Sequence, residues 1–442
     1  MPPSAQYLKQ KGSTIVKRKA RLATAFIVSL AVGATLAGCS SSGSGGSSND
    51  SSSQNFTFWS FTGIDAKADV TTYEKAHKGV HISLTEVGNS TDTAHALTTA
   101  LAGGKVPDLV LIQGDDLPKF VENPDNFIDL KTLGASKIKK DYAPAIWSQS
   151  VAADGQVLGV PTDVGGMALS YRKDLFAAAG LPTDPDKVSA MIPTWQDFLA
   201  VGKEYTDKTG KPFIDNAETS IFYQAVNQGS QKYYDNKTRK LDYNNDQVKT
   251  AFNLAVQGVQ DGITANLTSF STGWSAGLQK GAFAAVATPS WMLGSLRTNA
   301  ADTKGKWAIA KIPGGSGNWG GSYLAIPKRA EHPKAAWKYI TNAESPKAQL
   351  AHFLDSGSLP TTVSNYSNPK LLAATDPFFS DAPIGKIFTE SVAKLKPFYI
   401  GPDSGQIGTD YQNAIINLEN KKISADDAWS SAQTAIKQDV GK

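Results

Sequence analysis

One cysteine, Cys39, and five histidines are all the thiol and imidazole that 442 residues contain. A lone cysteine closes no disulfide within its own chain, and without a C-x-x-C or H-E-x-x-H set no transition-metal centre is expected. No cofactor is expected either. Charge of one sign is scarce too, since 44 Lys and Arg against 40 Asp and Glu leave +4. Much of that excess lies near the N-terminus, and no dense basic patch follows, which argues against nucleic acid as a partner. Long apolar runs are limited to Leu22 to Ala37. That run has about the length of a secretory h-region and is short for a bilayer span. No later run is long enough to cross a membrane, and no short fixed-period repeat appears.

What is present begins with Lys17, Arg18, Lys19 and Arg21 ahead of the apolar run, then Leu36-Ala37-Gly38-Cys39. The four residues resemble the lipobox of bacterial lipoproteins, which implies cleavage before Cys39 and a diacylglyceryl group on its sulfur. Residues 1–38 are thus expected to be a lipoprotein signal peptide. Residues 39–54 are expected to be the lipidated Cys39 and a linker, because Ser40 to Gln54 is almost entirely Ser and Gly and cannot bury enough apolar surface to offset its ordering entropy. An extracytoplasmic body, lipid-anchored to the cell membrane of a Gram-positive bacterium, follows as the expectation.

Beyond Gln54 the chain is too long for one ordinary core, and two lobes are expected. Phe56 to Trp59 is β-prone, Asp69 to His77 reads as a helix, Val80 to Val87 alternates as a strand, Asp92 to Ala102 is helical, and Pro107 to Ile112 reads as a second, continuously apolar strand. Such alternation implies parallel βαβ units with a sheet covered on both faces, an α/β fold. Ala168 to Tyr171 starts another strand, Thr194 caps a helix from Trp195 to Tyr205, and Gly262 ends one from Asp246 to Gln260. Ala335 to Asn342 and Asp426 to Gln438 read as amphipathic helices in a mainly helical C-terminal third.

Several fragments then occur in one order: Thr57-Phe58-Trp59-Ser60; Leu101-Ala102-Gly103-Gly104 with Pro107-Asp108-Leu109-Val110; Gly159-Val160-Pro161-Thr162-Asp163; Leu169 to Phe176; Ala179-Gly180-Leu181; Pro193-Thr194-Trp195; Gly281-Ala282-Phe283 to Trp291; Trp319 to Lys328; and Ala335 to Ile340. In that order they resemble the solute-binding proteins of ATP-driven sugar importers, in the maltose-binding-protein-like branch. The resemblance implies a periplasmic-binding-protein-like fold of type II, whose chain crosses three times between two lobes that close on a sugar, and a monomer that serves the transmembrane permease subunits of an ABC importer. Glycine-rich Asp163 to Gly166 and Gly314 to Gly321 suit hinge crossings, with Ser356-Gly357-Ser358 as the third. Lobe 1 is accordingly expected at 55–163 plus 321–356, and lobe 2 at 164–320 plus 357–442.

A sugar offers a C–H face for aromatic stacking and a rim of hydroxyls for carboxylates and amides. Ligands of open α/β sheets sit beyond the carboxyl ends of strands, which points to the loops after Trp59 and after Ile112, where Gln113, Asp115 and Asp116 stand. By resemblance, Asp65 and Asp115 match sugar-contacting loop acids; Trp59, at the end of the first strand, is a stacking candidate, and Trp291 matches by resemblance a stacking aromatic of the second lobe. Tyr223, Phe222, Trp274 and Tyr399 are further candidates there, Asp163 lies beside a hinge, and Tyr323 either lines the cleft or packs beside it. The acids could instead be helix caps or solvated loop residues. Trp195, Trp337 and Trp429 read as core.

Catalytic-looking strings weigh less. Gly273-Trp274-Ser275-Ala276-Gly277 fits G-x-S-x-G, but the preceding Leu267 to Thr272 is too polar for the buried strand a nucleophile elbow needs. Gly315 to Gly320 fits G-x-G-x-x-G yet leads into a strand where a dinucleotide site needs a helix. The expectation is a non-enzymatic receptor for an oligosaccharide; a tethered glycan-active hydrolase and a binding protein for another solute are the alternatives. The particular sugar is not legible.

Overall fold

A computed structural model describes residues 55–441 other than Gly63 and Asp65. The expected signal peptide, Cys39, the Ser/Gly linker and Asp65 therefore lie outside the described residues.

Two sheets organise the two lobes of an α/β fold. The first has order β2-β1-β3-β8-β4, built from β1 (Phe56–Ser60), β2 (Ile82–Glu86), β3 (Leu109–Gln113), β4 (Gly159–Pro161) and β8 (Ser322–Ala325). β1 pairs in parallel with both β2 and β3. The intervening helices Ala66–Ala76 and Ser90–Gly103 make the two βαβ units that alternating periodicity predicts. β8, from far along the chain, enters antiparallel between β3 and β4. In β3, Leu109 to Ile112 are all buried, as a strand covered on both faces requires.

The second sheet has order β6-β5-β7, from β5 (Met167–Arg172), β6 (Ala285–Pro289) and β7 (Trp307–Ala310), all antiparallel to the central β5. The helix Trp195–Thr209 starts on a reciprocal capping box between Thr194 and Asp197. Asn245 caps Asp246–Gln260. These helices pack on the sheet with the C-terminal pair Ser404–Glu419 and Ala425–Val440 in a core that includes Phe198, Phe213, Phe252 and Tyr411. Trp195 is buried, while Trp337 and Trp429 lie half-buried against core clusters.

The segments joining the sheets run side by side. Val164 N–H donates to Leu359 O (3.0 Å) and Trp319 N–H to Gly165 O (2.9 Å). A Cβ on Gly165 would stand 1.8 Å from Trp319 O, so only glycine permits this approach. Asp163 Oδ1 accepts from Ser322 N–H (3.1 Å) and from the Thr162 hydroxyl (2.8 Å), fastening the first segment to the second. Gln349, 1 % exposed, donates to Thr162 O and accepts from Thr361 N–H, fastening the first to the third. Thr361 and Thr362 still pair with Ala143 and Tyr142 of the first lobe.

Candidate functional site

β3 delivers its last residue, Gln113, to the edge of a groove between the lobes. Gly114 N–H is held by Gly321 O (2.8 Å), and Gln113 Oε1 accepts from Asp115 N–H (2.7 Å), which turns the Asp115 carboxylate outward from the strand end. Across the groove a π-helical turn, Glu218–Tyr223, brings Tyr223 forward; its hydroxyl donates to Asp115 Oδ2 at 3.0 Å. The same carboxylate, through Oδ1, lies 3.9 Å from Lys232 Nζ, an ammonium that sits over the rings of Tyr223 and Tyr233. Burial pushes Lys232 below the ordinary lysine range, against the opposing pull of Asp115, and pushes the Tyr223 phenol well up. Burial, then the neighbouring Asp115 charge, moves Asp116 up to about 6.

Two adjoining cavities occupy this groove and share Gly114, Gln149, Pro397, Phe398 and Ile400. The smaller, about 40 Å³, holds Asp115, Tyr223, Asn227 and Lys232. The larger, about 330 Å³, is lined by Glu122, Asn236, Arg239 and Tyr399. Tyr399 closes it across the lobes, its hydroxyl donating to Glu122 Oε1 at 2.8 Å while Arg239 covers its ring at 5.0 Å. That volume falls at the lower end of small-molecule sites, roughly 300–1,000 Å³. Beside the groove an aromatic series runs from Tyr223 to Trp319 (5.5 Å between centroids), Trp291 (5.8 Å) and Phe270 (6.1 Å, nearly parallel to Trp291). Phe270 is 49 % exposed and holds a φ of 66°, a left-handed backbone uncommon for a bulky residue.

Among the sequence candidates, Asp115, Tyr223 and Tyr399 line the groove, Gln113 lines neither cavity but holds the Asp115 N–H, and Trp291 stands in the aromatic series with its N–H donating to Trp319 O (2.7 Å). Trp274 lines neither cavity: it is fully buried, and its indole N–H donates to Asp215 Oδ2 (2.8 Å) inside the second lobe. Phe222 is likewise core. Tyr323, 2 % exposed, donates to Ile146 O and Gln149 Oε1 within the first lobe, which decides for packing over cleft lining. Asp163 is occupied by the crossing segments, and burial raises its carboxyl. Trp59 is half-buried against a core cluster and lines neither cavity. Sequence reasoning missed Lys232, Trp319 and Phe270. The run Gln231-Lys232-Tyr233-Tyr234, a cation among aromatics, was a usable signal for the first. Ser275 lies inside the helix Thr272–Lys280, not on a strand-to-helix turn, so the G-x-S-x-G string forms no nucleophile elbow.

Two α/β lobes joined by paired crossing segments, with polar groups from both converging on a groove, define a protein that captures a small solute between its lobes. The comparison with known families agrees: the chain belongs to the bacterial extracellular solute-binding protein family, whose model matches residues 68–379. It is 26 % identical over 396 residues to the arabinooligosaccharide-binding protein of Bacillus subtilis (strain 168), covering 83 % of this chain and 87 % of that one. A crystal structure of an extracellular solute-binding protein of family 1 superposes with a TM-score of 0.78 at 32 % identity, covering 87 % of this chain and 99 % of the other. The ABC-transporter-associated binding protein of B. animalis subsp. lactis Bl-04, solved with β-1,6-galactobiose, shares the fold at a TM-score of 0.74 and 22 % identity over 87 % of this chain and 96 % of its own.

Proposed function

We propose that this chain is the substrate-binding subunit of an ABC importer, capturing an oligosaccharide in the groove between its lobes and delivering it to the transmembrane permease. The observation that carries the reading is the convergence on Asp115 of Tyr223 and Lys232 from the opposite lobe, because a ligand drives closure only if it contacts both lobes. Gln113, Asp115, Tyr223, Trp291 and Tyr399 are its sugar contacts, joined by Trp319 and Phe270, with Asp65 from the loop after β1. The crossings at 163–166, 314–321 and the segment after Ser356 are its hinges. Lobe 1 is 55–163 plus 321 to about Thr362, and lobe 2 is the remainder. Supporting the sugar assignment are relatives whose names record arabinooligosaccharide and lactose. A diacylglyceryl group on Cys39 would tether the protein, as a monomer, to the outer face of the membrane.

The test is a thermal-shift screen of arabinotriose, lactose and β-1,6-galactobiose. A ligand that binds the folded state alone at about 100 times its Kd adds about 2.7 kcal/mol and raises Tm by several degrees. Glycan hydrolysis without saturable binding would overturn the reading in favour of an enzyme.

A further inference from the structure

Lys232 is 3 % exposed, yet its ammonium faces the smaller cavity. It carries three protons, and among the described residues no oxygen accepts a hydrogen bond from it. Asp115 Oδ1, at 3.9 Å, is beyond hydrogen-bond range, and the neighbours over which it lies, Tyr223 and Tyr233, offer ring faces. Asp115 in turn has Oδ2 taken by Tyr223 and Oδ1 turned toward the ammonium. A buried charge left this way is costly unless another group completes it. One oxygen placed about 2.8 Å from both Nζ and Oδ1 closes a triangle on the 3.9 Å side. That oxygen must accept from the ammonium and donate to the carboxylate at once. A hydroxyl does both, whether that of water or that of a solute which displaces it, whereas a carboxylate or ether oxygen cannot donate to Asp115 and an ammonium cannot accept from Lys232. The cavity, about 40 Å³ against about 330 Å³ for its neighbour, suits a group of a few heavy atoms.

We propose that the notch between Lys232 and Asp115 takes the hydroxymethyl group of a terminal ring of a neutral oligosaccharide, its hydroxyl bridging ammonium and carboxylate while the rings lie along the groove outside the notch. This rests on the sugar-binding reading above and narrows it: hexosides and arabinofuranosides carry that group, xylopyranosides lack it, and uronates replace it with a carboxylate. Lys232 is then a specificity-determining residue.

The experiment is calorimetry on the mature protein with arabinotriose, lactose and β-1,6-galactobiose, then with the deoxy analogue of whichever binds, lacking the hydroxyl of its terminal hydroxymethyl group. The analogue is expected to bind about tenfold or more weakly. In Lys232→Met, with Tm and far-UV circular dichroism retained, parent and analogue should bind alike and both weakly. A loss under about threefold for the analogue on the unmodified protein overturns the inference without any variant, as does a parent-to-analogue ratio unchanged by Lys232→Met. If none of the three saccharides binds, the sugar reading itself falls, and this inference with it.

Discussion

Aromatic side chains at single positions show what a sequence can and cannot reveal here. Trp274 and Trp291 stand seventeen positions apart, and composition treats them alike. The helix Thr272–Lys280 turns Trp274 inward onto Asp215, while Trp291 follows the end of β6 and remains half-exposed. Trp274→Ala should therefore cost about 3–5 kcal/mol of folding stability. Trp291→Ala should leave the denaturation midpoint nearly unchanged and weaken saccharide binding by about tenfold. Chemical denaturation and calorimetry on the two variants separate these outcomes. The place of Asp115 at the groove was legible because loops between lobes follow the carboxyl ends of buried parallel strands. Lys232 was not, since a lysine ordinarily reads as a solvated charge and only the tertiary fold puts this one under two tyrosines.

At the level of elements, the strands and helices of the first lobe were legible from periodicity, because burial on both faces leaves continuous apolar runs such as Leu109–Ile112. The π-helical turn Glu218–Tyr223 was not, because its extra residue per turn is imposed by packing and leaves no periodic mark. Its first residue lies among buried acids. Burial raises Asp215 to about 7 and Glu218 to about 9, the latter also through the neighbouring Glu419 charge, and burial raises Glu419 as well. The folded state thus holds protons that the unfolded chain releases near its ordinary carboxylate values. Stability from these groups is present below about pH 4 and is lost as pH rises through the folded values. Tm should fall between about pH 5 and pH 9. Glu218→Gln, neutral throughout, should flatten that fall and leave the variant more stable at the alkaline end. An unaltered Tm profile by differential scanning calorimetry would rule out these acids as its source.

At the scale of the molecule, the lobes meet through groups that a ligand can also use. Tyr223 spans to Asp115 and Tyr399 to Glu122, so each hydrogen bond stabilises the closed arrangement before any solute contributes. Asp163 and Gln349 bind the crossing segments to one another. Two-lobe architecture was legible from chain length and fragment order, whereas the hydrogen bonds across the groove join residues 108 and 277 positions apart, which no local pattern encodes. A hydrogen bond to a charged partner contributes about 1.5–3 kcal/mol when shielded and less where it is exposed, as Tyr399–Glu122 is, so removing both hydroxyls should shift the ligand-free equilibrium toward an open form by about tenfold or more. The double variant Tyr223→Phe/Tyr399→Phe should show a larger radius of gyration than the unmodified protein by small-angle X-ray scattering, and saturating saccharide should draw it back. Equal radii for the two proteins without ligand would mean that the crossing segments alone set the lobe angle, and that Tyr223 and Tyr399 contribute to affinity only through the sugar.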